Sequence, residues 1–198
     1  MMKLYYSPGA CSLASHIVEI EGGLKLKLEK VDLKTHRTET GADFFAINPK
    51  GYVPALELDD GSLLTENTAL LPFLGDKAGL MPADGMARYR ALEWIGYIAS
   101  EVHKAFAPLF HGGTDKEKAA AKEEIAQRLK FIEDSLSGDW LLGERFTAPD
   151  AYLFVVLRWA RTMHLDLSSM PRLAAFKARM ETRPGVQQAL AEEGLHHP

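Results

Sequence analysis

The strongest indication of the fold is residues 3–14, which read Lys3-Leu4-Tyr5-Tyr6-Ser7-Pro8-Gly9-Ala10-Cys11-Ser12-Leu13-Ala14. The pattern predicts a strand up to Tyr6, a tight turn, and a helix from about Cys11, where apolar residues begin to recur at helical spacing. Free N–H groups and the positive end of the helix dipole favour a thiolate at such a position and lower its pKa. A buried, unreactive cysteine is an equally good interpretation of this segment alone.

The composition describes an ordinary globular chain of 198 residues, 46% of them hydrophobic and 25% charged. A net charge of -4 without a basic run argues against nucleic acid as the main partner. Apolar stretches stay well short of the ~20 residues that a membrane span needs, and strand-like sequence at Lys3 leaves no room for a signal peptide. The single cysteine excludes an internal disulfide and a cysteine-based zinc site, so we expect a reducing, cytoplasmic location.

The hydrophobic pattern of the sequence changes once along the chain. In residues 1–78, strand-like and helix-like segments alternate, whereas every periodic segment of residues 87–198 has helical spacing. Residues 79–86, rich in glycine and proline, form the expected linker. In the first part, Asp59-Asp60-Gly61 predicts a hairpin turn, and Thr65 can cap the next helix. The order of segments indicates a mixed sheet covered by helices, followed by an all-helical domain.

The second part contains three strong helical patterns. The first spans residues 87–106 and the second spans residues 116–136. Before the third, Thr147 and Asp150 have the spacing of a capping box, which predicts the start of a strongly apolar helix. We expect this helix to form the core of the domain.

Four motifs occur together in an order and spacing that is far more specific than any one of them. They are Tyr5-Tyr6-Ser7-Pro8-Gly9-Ala10-Cys11-Ser12-Leu13-Ala14, Asn48-Pro49-Lys50-Gly51-Tyr52-Val53-Pro54-Ala55-Leu56, Leu64-Thr65-Glu66-Asn67 and Phe146-Thr147-Ala148-Pro149-Asp150-Ala151-Tyr152. These motifs are spread along the chain, and through them the whole sequence resembles the cytosolic glutathione transferases of the bacterial beta class. The resemblance implies a thioredoxin-like N-terminal domain followed by a helical C-terminal domain.

The resemblance implies a catalytic role for three residues. Cys11 would lie close enough to the glutathione sulfur to hydrogen-bond it or to form a mixed disulfide. His103 would point at the same sulfur, and Tyr6 corresponds to a strand tyrosine with a secondary role in this class. Dithiol exchange needs a second thiol, which Cys11-Ser12-Leu13-Ala14 lacks, so glutathione itself would have to resolve a disulfide. Without the resemblance, a histidine wedged at a domain boundary is the preferred interpretation of His103.

The resemblance also implies a set of glutathione-binding residues. Val53 and Pro54 match a cis-proline turn whose backbone hydrogen-bonds the cysteinyl part of glutathione. Glu66 and Asn67 open a helix that would hold the γ-glutamyl group, although Glu66 can also simply favour the helix dipole. His36 stands where relatives often carry a lysine near the glycyl carboxylate, and a solvent-facing loop histidine is at least as good an interpretation.

The predicted activity is conjugation of the glutathione thiolate to small hydrophobic electrophiles. Phe106 and Phe110 would supply an apolar wall for the electrophile. Glutathione would be a co-substrate, with no permanently bound cofactor and no metal. The expected partners are glutathione, the electrophile and a second copy of the chain in a homodimer, without nucleic acid or a membrane.

Two alternative functions remain open from the sequence. Cys11 could accept glutathione in a mixed disulfide and make the protein a thiol-disulfide oxidoreductase or peroxidase. The chain could instead be a non-catalytic glutathione-binding scaffold. Gly96 and His36 support the scaffold, because relatives commonly carry asparagine and lysine at these two positions.

Overall fold

A computed structural model describes residues 1–195, so the last three residues of the predicted helical domain, 196–198, lie outside the described range. Its strands are β1 (Lys3–Tyr6), β2 (Lys27–Asp32), β3 (Arg37–Thr38), β4 (Ala55–Glu57) and β5 (Leu63–Thr65). They form one sheet in the order β3-β2-β1-β4-β5, with β1 parallel to β2 and antiparallel to β4. β4 and β5 form the hairpin expected at Asp59-Asp60-Gly61. The predicted mixed sheet is confirmed.

Helices pack on this sheet and build the rest of the molecule. They are α1 (Ser12–Glu21), α2 (Phe44–Ile47), α3 (Asn67–Ala78), α4 (Gly85–Tyr97), α5 (Ala107–Phe110), α6 (Asp115–Ser135), α7 (Ala148–Thr162), α8 (Pro171–Glu181) and α9 (Pro184–Glu192), with a π-helix (Ile98–His103) after α4. The thioredoxin-like sheet followed by helices alone agrees with the fold predicted from the sequence.

Helix α1 joins the two halves of the molecule. Its apolar side chains Leu13, Ala14, Ile17 and Val18 are completely buried. They pack against α3 on the sheet side and against α7 and α9 of the helical half. Because α1 is held from both sides, its N-terminal end, which carries Cys11, has a fixed position.

The expected N-cap at Thr65 is wrong. Thr65 ends strand β5, where it pairs with Ala55, and helix α3 starts two residues later. Glu66 makes the whole turn from strand to helix with a φ of 74°, and its side chain does not cap the helix. A left-handed conformation is costly for a residue other than glycine, so the packing of β5 and α3 must hold Glu66 in place.

The predicted helix over residues 87–106 is also different in the structure. It begins earlier, at Gly85, and changes into the π-helix at Ile98. After His103, Lys104 and Ala105 are α-helical again, so the end lies close to the predicted one. A π-helical turn contains an extra residue, and such turns occur frequently at functional sites. Apolar residues such as Ile95 and Val102 remain buried throughout, so the hydrophobic period does not reveal the change.

Helix α7 forms the core of the helical domain and starts with the predicted capping box. The buried carboxylate of Asp150 accepts hydrogen bonds from the backbone N–H of Thr147 at 2.8 Å and from its hydroxyl at 2.9 Å. Its other oxygen accepts from the backbone N–H of Leu141 at 2.9 Å. Asp150 therefore caps the helix and also ties it to the preceding loop, which the sequence did not predict.

Candidate active site

A cleft of about 1280 Å³ lies between the sheet domain and the helices. On the sheet side, it is lined by the turn before α1, the loop before β4 and the start of α3. The π-helix, α5 and α7 line the opposite side. The polar or reactive side chains that reach it include Cys11, Lys50, Glu66, Asn67, His103, Lys104, Tyr152 and Arg158.

Cys11 lies at the sheet side of the cleft, at the N-cap of α1. Its half-buried thiol donates a hydrogen bond to the carbonyl oxygen of Val53 at 3.2 Å. Burial raises the pKa of Cys11 to about 12, and the backbone N–H groups of Cys11 and Ser12 offset only part of this effect. The expectation that the helix end lowers the pKa of Cys11 is wrong, because desolvation outweighs the dipole. The thiol is therefore protonated at neutral pH and acts as a hydrogen-bond donor.

The peptide bond between Val53 and Pro54 is cis, and both residues line the cleft. The Val53 carbonyl, which accepts from Cys11, belongs to the backbone just before strand β4. This places a main-chain segment directly beside the thiol.

The start of α3 contributes a charged pair and a buried amide. The carboxylate of Glu66 pairs with the ammonium group of Lys50 at 2.8 Å. The side chain of Asn67 is buried, with Oδ1 accepting from the Ser15 hydroxyl at 3.0 Å and Nδ2 donating to the Cys11 carbonyl at 2.9 Å. Asn67 thus joins α3 to α1. Sequence reasoning missed Lys50, although it lies inside one of the quoted motifs.

On the opposite side, the last residue of the π-helix, His103, faces the cleft. Its Nδ1 atom is 2.7 Å from the hydroxyl of Tyr152 on α7, and its ring packs edge-on against Trp159. Burial and, to a smaller extent, the charge of Lys104 lower the pKa of His103 to about 4, although Glu66 acts in the opposite direction. His103 is therefore neutral at physiological pH. Sequence reasoning missed Tyr152, which looks like one more core residue of an apolar helix.

An aromatic wall closes the helical side of the cleft. Phe110 and Trp159 line it, with their rings edge to face at 5.2 Å between centroids. Phe106 is completely buried, and its ring stacks against that of Phe110. The expectation that Phe106 lines the cleft is wrong, since it supports the wall from behind. Trp159 lines the cleft in its place.

Two further predicted residues lie outside the cleft. His36 has a φ of 52° and packs its ring against Phe45 at 4.2 Å, and its buried Nδ1 has no hydrogen-bond partner. Tyr6 is buried in the core beside the ring of His16. Leu33 and Lys50 line the cleft, whereas His36 does not.

The turn before Cys11 is held by contacts from the helical domain. The backbone N–H of Gly9 donates to Glu193 at 2.8 Å, and its carbonyl accepts from Nε1 of Trp159 at 2.8 Å. Glu193 also contacts Nδ1 of the buried His16, whose Nε2 contacts Glu192. Burial alone would lower the pKa of His16, but the two carboxylates raise it.

Comparisons with known proteins agree with this arrangement. The family model of the glutathione S-transferase N-terminal domain matches residues 10–77, and that of the C-terminal domain matches residues 97–184. Glutathione S-transferase GstA of Escherichia coli O157:H7 is 48% identical, over 98% of this chain and 100% of its own. Glutathione S-transferase GST-4.5 of Xanthomonas campestris is 39% identical, over 98% of this chain and 100% of its own.

Solved structures give the same result. A sphingomonad glutathione S-transferase complexed with glutathione has a TM-score of 0.93 and 44% identity, covering 98% of this chain and 100% of its own. The bacterial beta class enzyme of Sphingomonas chungbukensis has the same TM-score, identity and coverage.

The sheet domain, the helical domain and the cleft between them define a thioredoxin-like protein with a helical second domain. By its similarity in sequence and structure, the chain belongs to the glutathione S-transferase family, in its bacterial beta class. It is a glutathione transferase, with glutathione as its co-substrate.

Residues 1–195 contain no group of three or more histidine, cysteine, aspartate or glutamate side chains placed to hold a metal ion. Within the same range, no helix is both long and apolar enough to cross a membrane.

Proposed function

We propose that this transferase joins the glutathione thiolate to small hydrophobic electrophiles in the cleft between its domains. The observation that carries the proposal is the arrangement of Cys11 and His103 on opposite sides of one cleft that also has an aromatic wall. The sulfur of glutathione would lie between the Cys11 thiol and the neutral His103 ring. The electrophile would lie against Phe110 and Trp159.

The peptide part of glutathione would bind along the sheet side of the cleft. The backbone of Val53 can pair with the cysteinyl residue, as an added strand would. At the start of α3, backbone N–H groups can hold the γ-glutamyl carboxylate, and Glu66 can pair with the γ-glutamyl ammonium. Lys50, which neutralises Glu66 in the structure, would then be free to approach a carboxylate of the ligand.

In the reaction, the thiol of glutathione loses its proton to solvent, and the thiolate sulfur forms a bond to an electrophilic carbon. The leaving group departs with its electron pair, or the adjacent double bond takes up a proton. Hydrogen bonds from Cys11 and His103 would favour the thiolate, and each unit by which they lower the pKa of glutathione contributes ~1.4 kcal/mol. Positioning the two reactants contributes further.

The protonated state of Cys11 favours conjugation over the redox alternative. A thiol with a pKa of about 12 is almost entirely un-ionised at neutral pH, and only the thiolate attacks a disulfide. Cys11 would therefore serve as a hydrogen-bond donor to glutathione.

A Cys11→Ala variant tests this assignment. Conjugation of an aryl halide should fall about tenfold, with part of the activity kept because His103 still contacts the thiolate, and the KM for glutathione should change little. Loss of a disulfide reductase activity with conjugation unchanged would instead select the redox function. A wild-type protein that binds glutathione by calorimetry but turns over neither electrophiles nor disulfides would select the scaffold.

We also propose that the chain forms a homodimer. Trp94, Tyr97 and Phe131 form a ring cluster on the surface of α4 and α6, and Phe131 is 54% exposed. Tyr52, in the loop beside the cleft, is 70% exposed. Exposed aromatic clusters of this kind are typical of protein interfaces. Analytical ultracentrifugation should give twice the monomer mass, and a Phe131→Glu variant should shift it toward the monomer.

The two parts of the chain would have different roles in the reaction. Residues 1–78 would bind glutathione, and the helical part from residue 87 would shape the electrophile site. A reducing, cytoplasmic location suits a protein that has one free thiol and uses glutathione.

A further inference from the structure

Tyr152 is the buried group in the cleft to which the proposed reaction assigns no role. It is only 2% exposed, lies on α7, and its hydroxyl is 2.7 Å from Nδ1 of His103. Either atom of this pair could be the donor. Which one donates decides whether the other ring nitrogen of His103, Nε2, carries a proton.

The chemistry of the two groups gives the direction of this hydrogen bond. His103 is neutral at physiological pH because burial lowers its pKa to about 4. The unprotonated nitrogen of a neutral imidazole is a strong acceptor, whereas a phenol hydroxyl is a better donor than acceptor. At 2.7 Å, the Tyr152 hydroxyl therefore directs its single proton at Nδ1 of His103.

We propose that Tyr152 is a positioning residue that donates to Nδ1 of His103 and so places the ring proton on Nε2, facing the cleft. A neutral imidazole carries one ring proton. His103 then acts as a hydrogen-bond donor to the glutathione sulfur, and it does not take the proton from the thiol. The inference rests on the proposed function for its consequence, while the proton position itself is a property of the free protein.

Nitrogen-15 NMR of histidine-labelled protein tests the proton position directly. Protonated and unprotonated ring nitrogens differ strongly in chemical shift, and a His103→Gln variant identifies the signals. The wild-type protein at neutral pH should have an unprotonated Nδ1 and a protonated Nε2 in His103. A protonated Nδ1 would overturn the inference, whether or not the protein has transferase activity.

A Tyr152→Phe variant tests the consequence. Without the hydroxyl, His103 should populate both tautomers, the pKa of bound glutathione should rise by about one unit, and kcat/KM at neutral pH should fall about tenfold. The Kd of S-methylglutathione, which has no thiol, should stay unchanged. A variant with the wild-type pH profile of kcat/KM would contradict the role.

Tyr5→Phe is the matched control. Tyr5 is also a buried tyrosine, and its hydroxyl donates to Glu57 on strand β4 at 2.8 Å, outside the cleft. Loss of the Tyr5 hydroxyl should leave the NMR signals of His103 and the pH profile of kcat/KM unchanged. Absence of any conjugation in the wild type would remove the proposed function, and the wild-type NMR spectrum would still decide the proton position.

Discussion

Glu193, just after the last turn of α9, accepts a hydrogen bond from the backbone N–H of Gly9, two residues before Cys11. This contact spans 184 positions of the chain and is only 2.8 Å long. With Nε1 of Trp159 bound to the Gly9 carbonyl, both polar groups of this peptide segment are satisfied by the helical domain. The position of the Cys11 thiol therefore depends on residues near the end of the described chain.

Replacing Glu193 by alanine should lower the free energy of unfolding by about 1–3 kcal/mol, because the Gly9 N–H and the buried His16 lose a charged partner. Glu192→Ala is the matched control. Glu192 also contacts His16, but its side chain is 40% exposed, and the expected loss is below about 1 kcal/mol. Urea denaturation measures the free energy of unfolding of both variants. Equal losses for the two variants would show that the Gly9 contact contributes nothing to stability.

The raised pKa of Cys11 predicts its chemical reactivity. Alkylation by iodoacetamide should be slow at pH 7 and should accelerate about tenfold per pH unit up to at least pH 9, because the thiolate fraction grows tenfold per unit below a pKa of about 12. Mass spectrometry of the single-cysteine protein follows the rate. A rate that levels off near pH 7 would show a helix-activated thiolate instead.

The capping box of α7 should be more important for stability than the one of α6. Asp150→Ala removes a buried carboxylate that three hydrogen bonds hold, two from Thr147 and one from Leu141, and should cost about 2 kcal/mol. Glu117→Ala breaks an exposed capping box with Thr114 and should cost about 0.5 kcal/mol. Thermal unfolding compares the two. An unchanged melting temperature for Asp150→Ala would contradict the capping role.

Glu66 should bind the ammonium group of glutathione. Glu66→Gln is expected to weaken glutathione binding by about tenfold or more, since a charge-assisted hydrogen bond becomes a neutral one. Calorimetry with glutathione measures the Kd. Glu93→Gln, which removes the charge of an exposed carboxylate paired with Arg90 outside the cleft, is the control and should bind as the wild type does. A Glu66→Gln variant that binds equally well would leave Glu66 with only its structural role.

The sequence predicted those parts of the fold that depend on local signals. The hairpin turn at Asp59-Asp60-Gly61, the capping box at Thr147 and the apolar period of α1 each depend on neighbouring residues, and the structure confirms them. The structure differs from the prediction at Thr65 and at the π-helix, because strand pairing determines the first and helix packing the second. A hydrophobic period of 3.6 residues cannot reveal one extra residue in a buried helix.

The site was harder to predict than the fold for a similar reason. Desolvation of Cys11 and the burial of Phe106 depend on surroundings that come from distant parts of the chain. Tyr152 and Trp159 lie on the most apolar helix, where packing is the commoner role of an aromatic residue. Their polar atoms contact His103 and the backbone of Gly9, respectively, because α7 packs against both.

A crystal structure of the protein with bound glutathione tests the central claim most directly. The account predicts the glutathione sulfur within hydrogen-bond distance of both Sγ of Cys11 and Nε2 of His103, with the γ-glutamyl group at the start of α3. Density that places the sulfur away from both residues, or a tripeptide bound outside the cleft, would contradict it.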